Sequence, residues 1–279
     1  MRTRSLVATL ATVAVAAAGC GGGSTSGSSS GGGQSKFDLV QAGTLTVCSD
    51  VPYPPFEMEK DSGGYTGFDI EMIKAIGDRL GLEVQVKDVS FSGLQSGTTL
   101  AAGTCDVAAS AMTITDKRKK NLDFSKGYYE ADQSLLVPAD SSISGIEDLA
   151  GKRVGVQQGT TGQDYTKKHA PKSATIVAYP SDAELSSAIA AGNIDAILQD
   201  LPPNVQHATK DNPIPLKIVA EFSTNEHYGF AVAEEGSNKL LQAINDALKK
   251  LRSNGTYDKL YDKYFSYKKS GSGGSESAS

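Results

Sequence analysis

The chain has no tryptophan, three histidines and three cysteines among its 279 residues. His169, His207 and His227 lie far apart without metal-ligand spacing, so they give no legible donor set for a metal ion. No histidine stands near a cysteine in a recognisable motif, which argues against a thiol nucleophile. Positive charge is also in short supply. The 27 Lys and Arg face 32 Asp and Glu, a net charge of −5 that offers no electrostatic footprint for nucleic acid. No apolar run is long enough to span a bilayer; the N-terminal one, Leu6 to Ala18, is too short.

That N-terminal run follows Arg2 and Arg4 and ends in Ala17-Ala18-Gly19-Cys20, the layout of a secretory signal. It resembles a bacterial lipoprotein signal, in which Cys20 carries acyl chains such as palmitate and becomes the first residue of the processed chain. Ala17 departs from the leucine more usual at its position. Gly21 to Gln34 is almost wholly glycine and serine, so it should act as a flexible tether of about 20 Å root-mean-square length. Two or more acyl chains on Cys20 would hold such a protein stably on the extracytoplasmic face of the cell membrane, and one would not. Residues 1–19 are thus expected to be the signal, 20–35 the lipidated cysteine and tether, and 270–279, again rich in Gly and Ser, a disordered tail. Cys48 and Cys105 remain, an even number in an oxidising compartment; a disulfide and two free thiols are both open.

The intervening 230 or so residues suffice for one large domain or two lobes. Strand and helix signals alternate from Leu45. Leu45 to Cys48 reads as a strand, Phe68 to Leu80 as a helix stopped by Gly81, Leu82 to Val86 as a strand, Gly93 to Ala102 as a short helix, and Asp106 to Met112 as a buried strand. This β-α-β-α-β order predicts a parallel sheet with helices on its faces. A second series follows: a helical turn at Ile146 to Leu149, strands at Arg153 to Val156, Thr175 to Val177 and Ile194 to Leu198, and helices at Thr161 to His169 and Ala183 to Ala191. Tyr228 to Val232 then reads as a returning strand, with closing helices over Asn238 to Leu251 and Thr256 to Phe265. The expected division is lobe 1 at 36–135 and 226–269 and lobe 2 at 136–225, joined by hinge crossings near Ser134 to Val137 and Glu221 to Glu226.

Ligands of α/β sheets sit beyond the carboxyl ends of the strands, so the cleft between lobes is the expected site. The residues there are Asp50, Tyr53, Phe91, Ser110, Ala111, Thr113 and Arg118 from the first lobe, and Gln157, Thr161 and Asp200 from the second. One arginine, two acids, two aromatics and several hydroxyls or amides suit a small zwitterion. Arg118, set in a helix capped by Thr115, is the candidate for a carboxylate, with helix-start amides near Thr161. Asp200, the Ala111 carbonyl and the Thr113 hydroxyl are candidates for an ammonium. Tyr53 and Phe91 would sandwich a side chain or stack on a guanidinium, and Asp50 and Gln157 would read its far end. Plain alternatives exist: Lys117 to Lys120 with Arg118 as a solvated basic face, and Asp50 and Asp200 as turn residues ahead of prolines.

Pro54-Pro55-Phe56-Glu57, Gly67-Phe68-Asp69-Ile70, Thr113-Ile114-Thr115-Asp116-Lys117-Arg118, Asp123-Phe124-Ser125 with Tyr128-Tyr129, and Val154-Gly155-Val156-Gln157 with Gly159-Thr160-Thr161-Gly162 follow one another in order. From about Leu45 to Phe265 the chain resembles the bacterial extracellular solute-binding proteins of family 3, the polar amino-acid receptors of ABC importers. The resemblance implies a type II periplasmic-binding-protein fold: two α/β lobes, a ligand cleft and two hinge crossings. It implies a monomer without cofactor or catalytic residue that closes on an L-amino acid and delivers it to a membrane permease. By position Arg118 matches the family's carboxylate-binding arginine and Asp200 its ammonium-binding aspartate, while Asp50, Tyr53 and Phe91 match side-chain-pocket positions. Gln157 departs from the glutamine receptors, where a lysine stands. With Asp50 this leaves negative charge in the pocket, so arginine or lysine is the expected ligand and glutamine the next. The alternatives are a cyclohexadienyl dehydratase-like enzyme on the same fold and a ligand sensor without transport.

Overall fold

The computed structural model describes residues 36–209 and 212–266. The signal, Cys20, the tether and the tail lie outside the described residues. The strands run β1 Thr44–Ser49, β2 Met58–Glu59, β3 Tyr65–Thr66, β4 Glu83–Asp88, β5 Val107–Ala108, β6 Leu122–Phe124, β7 Tyr129–Pro138, β8 Arg153–Gln157, β9 Thr175–Tyr179, β10 Ala196–Asp200, β11 Leu216–Tyr228 and β12 Ala231–Ala233. The helices are α1 Phe68–Leu80, α2 Phe91–Gln95, α3 Thr98–Ala101, α4 Thr161–His169, α5 Asp182–Ala190, α6 Leu201–Thr209, α7 Asn238–Ser253 and α8 Thr256–Phe265.

Two five-stranded sheets organise these elements, in the orders β4-β1-β5-β12-β6 and β11-β7-β10-β8-β9. In the first, β1 pairs in parallel with β4 and β5, and β12 returns antiparallel. In the second, β8 pairs in parallel with β9 and β10, and β7 runs antiparallel to β10. Every residue of β1 is buried, as expected of a central strand covered on both faces by helices. The two lobes of a type II periplasmic-binding-protein fold follow from this pairing.

The chain passes between the sheets along β7 and β11, which pair antiparallel from Tyr129↔Tyr228 to Pro138↔Leu216. Ser134, Leu135 and Leu136 already pair with β10, so the first crossing precedes them rather than falling at Ser134 to Val137. The second crossing strand, where the sequence reading placed only a hinge at Glu221 to Glu226, runs the whole way from Leu216 to Tyr228, with a shift of pairing register between Phe222 and Glu226. Phe56 packs where the crossings leave the first sheet, with ring centroids 5.0 Å from Tyr129, 5.2 Å from Tyr228 and 5.4 Å from Phe265 of the closing helix.

Several elements depart from the sequence reading. The Gly93 to Ala102 helix divides into α2 and α3 at Gly97, whose φ is +81° and whose absent Cβ lets the Asn121 backbone approach. The strand expected at Asp106 to Met112 is paired only at Val107 and Ala108. The helix expected around Arg118 is a single 3₁₀ turn, Arg118–Lys120, because β6 begins at Leu122. Thr115 still takes the capping role, its Oγ1 accepting from the Arg118 N–H at 3.2 Å. The segment from Leu201, for which a turn was the plain alternative, is helix α6, with Pro202 and Pro203 in its first turn, where a missing N–H costs nothing.

Cys48 and Cys105 form a disulfide with Cα atoms 5.8 Å apart and a sequence separation of 57. It ties β1 to the approach to β5, within an apolar cluster that includes Phe91, Leu94 and Met112. Closing a loop of this length stabilises the folded chain by about 4 kcal/mol through the entropy of the unfolded state. Urea unfolding of the Cys48→Ala/Cys105→Ala double variant should show a loss of that order, and reductant should lower the wild-type midpoint while leaving the variant unmoved.

Candidate functional site

All ten residues selected from the strand ends line one narrow cavity between the two sheets, together with Glu57 and Thr160. The topology accounts for the convergence. Asp50 follows β1, Ser110 and Ala111 follow β5, Gln157 ends β8, Thr161 opens α4, and Asp200 ends β10. Parallel strands aim these ends at the same crevice.

Arg118 is set apart from the lysines around it. Its residue is 4% exposed, whereas Lys117, Lys119 and Lys120 are exposed and the first two meet Asp164 and Asp116 at the surface. The guanidinium donates through Nη1 to the Thr113 carbonyl at 2.6 Å and through Nη2 to the Gly159 carbonyl at 3.1 Å, so it touches both lobes. Its Cζ lies 5.2 Å from the centre of the Phe91 ring. Phe91 thus stacks on the protein's own arginine rather than forming a sandwich with Tyr53. Burial lowers the Arg118 pKa to about 10, against the raising effect of Asp200 and Glu226, and the group stays charged at neutral pH.

Asp200 is gripped from three sides. Its Oδ2 accepts from the Tyr53 hydroxyl at 2.8 Å and the Tyr228 hydroxyl at 2.5 Å, and its Oδ1 accepts from Gln133 Nε2 at 2.5 Å. Burial, followed by the charge of Glu226, lifts its pKa to about 6 despite those donors. At the other end of the cavity Gln157 Nε2 donates to Asp50 Oδ2 at 2.6 Å and to the Pro180 carbonyl at 3.1 Å. Burial pushes the Asp50 carboxyl up to about 6 as well; the Gln157 hydrogen bond opposes the shift, and Asp88 and Asp182 add to it.

Four participants escaped the strand-end rule. Glu57 lies in the turn after β1, whereas Gln133, Glu226 and Tyr228 sit on the crossing strands. Glu226 Oε2 accepts from Thr113 Oγ1 at 2.9 Å, Thr161 Oγ1 at 2.7 Å and Gln133 Nε2 at 3.5 Å, so one carboxylate oxygen gathers donors from both lobes and a crossing. The Tyr228-Gly229 pair after a polar, alternating run was the signal available for this segment. Within the cavity wall the carboxyls of Asp50, Glu57 and Asp200 outnumber the single guanidinium of Arg118. Such a lining favours a ligand with one carboxylate and more than one cationic or donor group.

The family model for bacterial extracellular solute-binding proteins, family 3, matches residues 45–267. The L-cystine-binding protein TcyJ of Escherichia coli (strain K12) is 31% identical over 227 residues, covering 81% of this chain and 84% of the relative. Among solved structures, an ancestral arginine-binding protein bound to glutamine has a TM-score of 0.76 at 38% identity, covering 81% of this chain and 99% of that one. The ancestral amino acid-binding protein AncCDT-1, a precursor of cyclohexadienyl dehydratase, has a TM-score of 0.73 at 37% identity, covering 80% and 96%.

The Glu226 clasp yields a test. Glu226→Ala removes the acceptor that Thr113 and Thr161 share, so the lobes should part more readily. Small-angle X-ray scattering without ligand should give a larger radius of gyration for the variant, and an unchanged radius would deny the clasp a role in closure.

Proposed function

The chain belongs to the bacterial extracellular solute-binding proteins, family 3, the amino-acid-binding components of ABC transporters, and we propose that it captures a cationic L-amino acid, arginine or lysine first and glutamine second. The observation that carries the preference is Asp50, a buried carboxylate at the far end of the cavity whose side-chain hydrogen-bond partner, the amide of Gln157, is neutral. A carboxylate taken out of water gains most from a cation, and a guanidinium or ammonium at the end of an extended side chain supplies one. The solved ancestral arginine-binding protein, with glutamine bound, supports both members of the ordering.

In this reading the ligand's α-carboxylate pairs with Arg118 and the amides that open α4 at Thr161. Its α-ammonium meets Asp200, the Ala111 carbonyl and the Thr113 hydroxyl. The side chain runs past Tyr53 and Phe91 toward Asp50 and Gln157, with Ser110 holding the Asp50 backbone through a 3.0 Å hydrogen bond from its N–H. Lobe closure follows from the ligand's greater affinity for the shut form, in which groups of both lobes touch it at once. A monomer tethered through acylated Cys20 then presents the closed form to the permease.

Isothermal titration of the purified protein with the common amino acids is the decisive measurement; binding of none of them sinks the proposal. Arg118→Ala should weaken any amino acid by about a hundredfold or more, the scale of an uncompensated buried charge pair. Asp50→Asn should weaken arginine by at least about tenfold and glutamine by much less. Equal losses for both would remove the cationic preference. The pH dependence follows from the same groups. Asp50 and Asp200 have folded pKa values raised to about 6, so they gain protons and lose charge as pH falls through that value. Affinity for arginine should therefore drop below about pH 6, and more steeply than affinity for glutamine, which relies less on the charge of Asp50.

The anchor is tested separately. Cys20→Ser should move the protein from the membrane fraction to the soluble one with ligand binding intact, and retention in the membrane would refute acylation at Cys20. A dehydratase reading draws on the raised carboxyls in the cavity and on the likeness to AncCDT-1. Consumption of prephenate or arogenate by the purified protein would establish it over the receptor reading.

A further inference from the structure

Two acids with no exposed surface meet at the cavity wall: Glu57, which lines it, and Asp69, which does not. Their backbones are joined: the Asp69 N–H donates to the Phe56 carbonyl at 3.0 Å and the Phe68 N–H to the Pro55 carbonyl at 2.9 Å. Gly67 permits this approach, since a Cβ there would lie 2.1 Å from the Phe56 oxygen. Their side-chain partners are also neighbours in sequence. Ser110 Oγ donates to Glu57 Oε1 at 3.3 Å, and the Ala111 N–H donates to Asp69 Oδ2 at 2.8 Å, joined there by the Tyr128 hydroxyl at 2.5 Å. Each acid keeps one buried oxygen with no hydrogen-bond partner, Glu57 Oε2 and Asp69 Oδ1.

Two adjacent, dry, ionised carboxylates with an orphaned oxygen apiece would be mutually repulsive and unsolvated. We propose that one proton joins them, Glu57 Oε2–H donating to Asp69 Oδ1, and that this acid pair fixes Ala111 in the conformation that presents its carbonyl to the ligand. Asp69 is the carboxylate of the two, because its other oxygen accepts two donors and it lies in the first turn of α1, where the helix dipole favours an anion. Glu57 is the acid. Ala111 needs such a hold: its φ of +42° is an uncommon conformation for a residue with a side chain, and it lines the cavity.

The surrounding charges point the same way. Asp50 and Asp200 face Glu57 from the cavity, and the phenols of Tyr53 and Tyr128 are themselves held above their ordinary range. Arg118, on the same cavity wall, is the guanidinium of this neighbourhood. Burial, then Asp69, raise Glu57 well above the usual carboxyl range, and burial raises Asp69 to about 7. The role given to Ala111 rests on reading the cavity as an amino-acid site, whereas the shared proton does not.

Infrared spectroscopy of the full chain at about pH 8.5, above the titrations of Asp50, Asp69 and Asp200 and without ligand, should show the carbonyl band of a protonated carboxyl, and Glu57→Gln should remove it. The unfolded chain releases a glutamate proton near pH 4 and the folded one much later. Stability should therefore be greatest below that value and be lost as pH rises through the folded titration; Glu57→Gln should flatten the loss, read as melting temperature against pH. Absence of the band in the wild type, or its survival in Glu57→Gln, overturns the pair whatever the protein binds. For positioning, Asp69→Ala should weaken amino-acid binding about tenfold or more, and Asp69→Asn, which keeps an acceptor for Ala111 and gains a donor toward Glu57, should recover most of it. Should Asp69→Ala fail to fold, Asp69→Asn binding no better than an Arg118→Ala control overturns the positioning role.

Discussion

The structure turns on a guanidinium held out of water. Arg118 is buried, yet its hydrogen bonds go to two backbone carbonyls and its flat face to Phe91, and the ion pairs among the described residues do not include it. Holding a cation this way costs several kcal/mol of lost hydration. The carbonyls offset part of that cost, and the fold must supply the remainder through its other contacts. Thr113 and Gly159 come from opposite lobes, so the arginine makes both of these bonds only when the lobes are together. The same condition governs Asp200, whose donors Tyr53, Tyr228 and Gln133 arrive from the first lobe and both crossing strands.

Charge placement and lobe geometry are therefore one problem. The antiparallel ladder of β7 and β11 fixes where Gln133, Glu226 and Tyr228 stand, and each reaches an acid or a hydroxyl of the cleft. The Phe56 ring, lodged against Tyr129, Tyr228 and Phe265, braces the ladder from the first lobe. A shift of the crossing strands would move several hydrogen bonds of the site together, which gives the lobes a cooperative reason to be shut or open rather than part-way.

Much of this was legible in the chain because parallel sheets obey a simple rule. Alternating strand and helix signals located the strand ends, and the segments that follow those ends hold Asp50, Ser110, Ala111, Arg118, Gln157 and Asp200. The rule is silent about residues contributed from the middle of antiparallel strands. Gln133 and Glu226 are 93 positions apart and meet only through pairing register, which local sequence does not encode. Glu57 was hidden differently, in a turn whose register against α1 depends on the close approach at Gly67. Local signals misled where tertiary structure intervened: the basic run at 117–120 has helical propensity, but the start of β6 leaves room for one 3₁₀ turn.

On the proposed reading, affinity and selectivity reside at different ends of the cavity. Every α-amino acid carries the same carboxylate and ammonium, so Arg118 and Asp200 contribute binding energy without discriminating among them. Discrimination is left to Asp50 and Gln157, which meet only what varies. Their hydrogen bond spans the lobes, so a ligand that engages Asp50 competes with a contact that also helps close the cleft. A cation can bond Asp50 through a lone pair that Gln157 does not use and preserve the closing contact. A neutral amide offers a weaker bond to the same carboxylate, because only one partner then carries charge. The number of acceptor sites on a carboxylate thus lets a single residue reward charge in the ligand while the lobes stay joined across it.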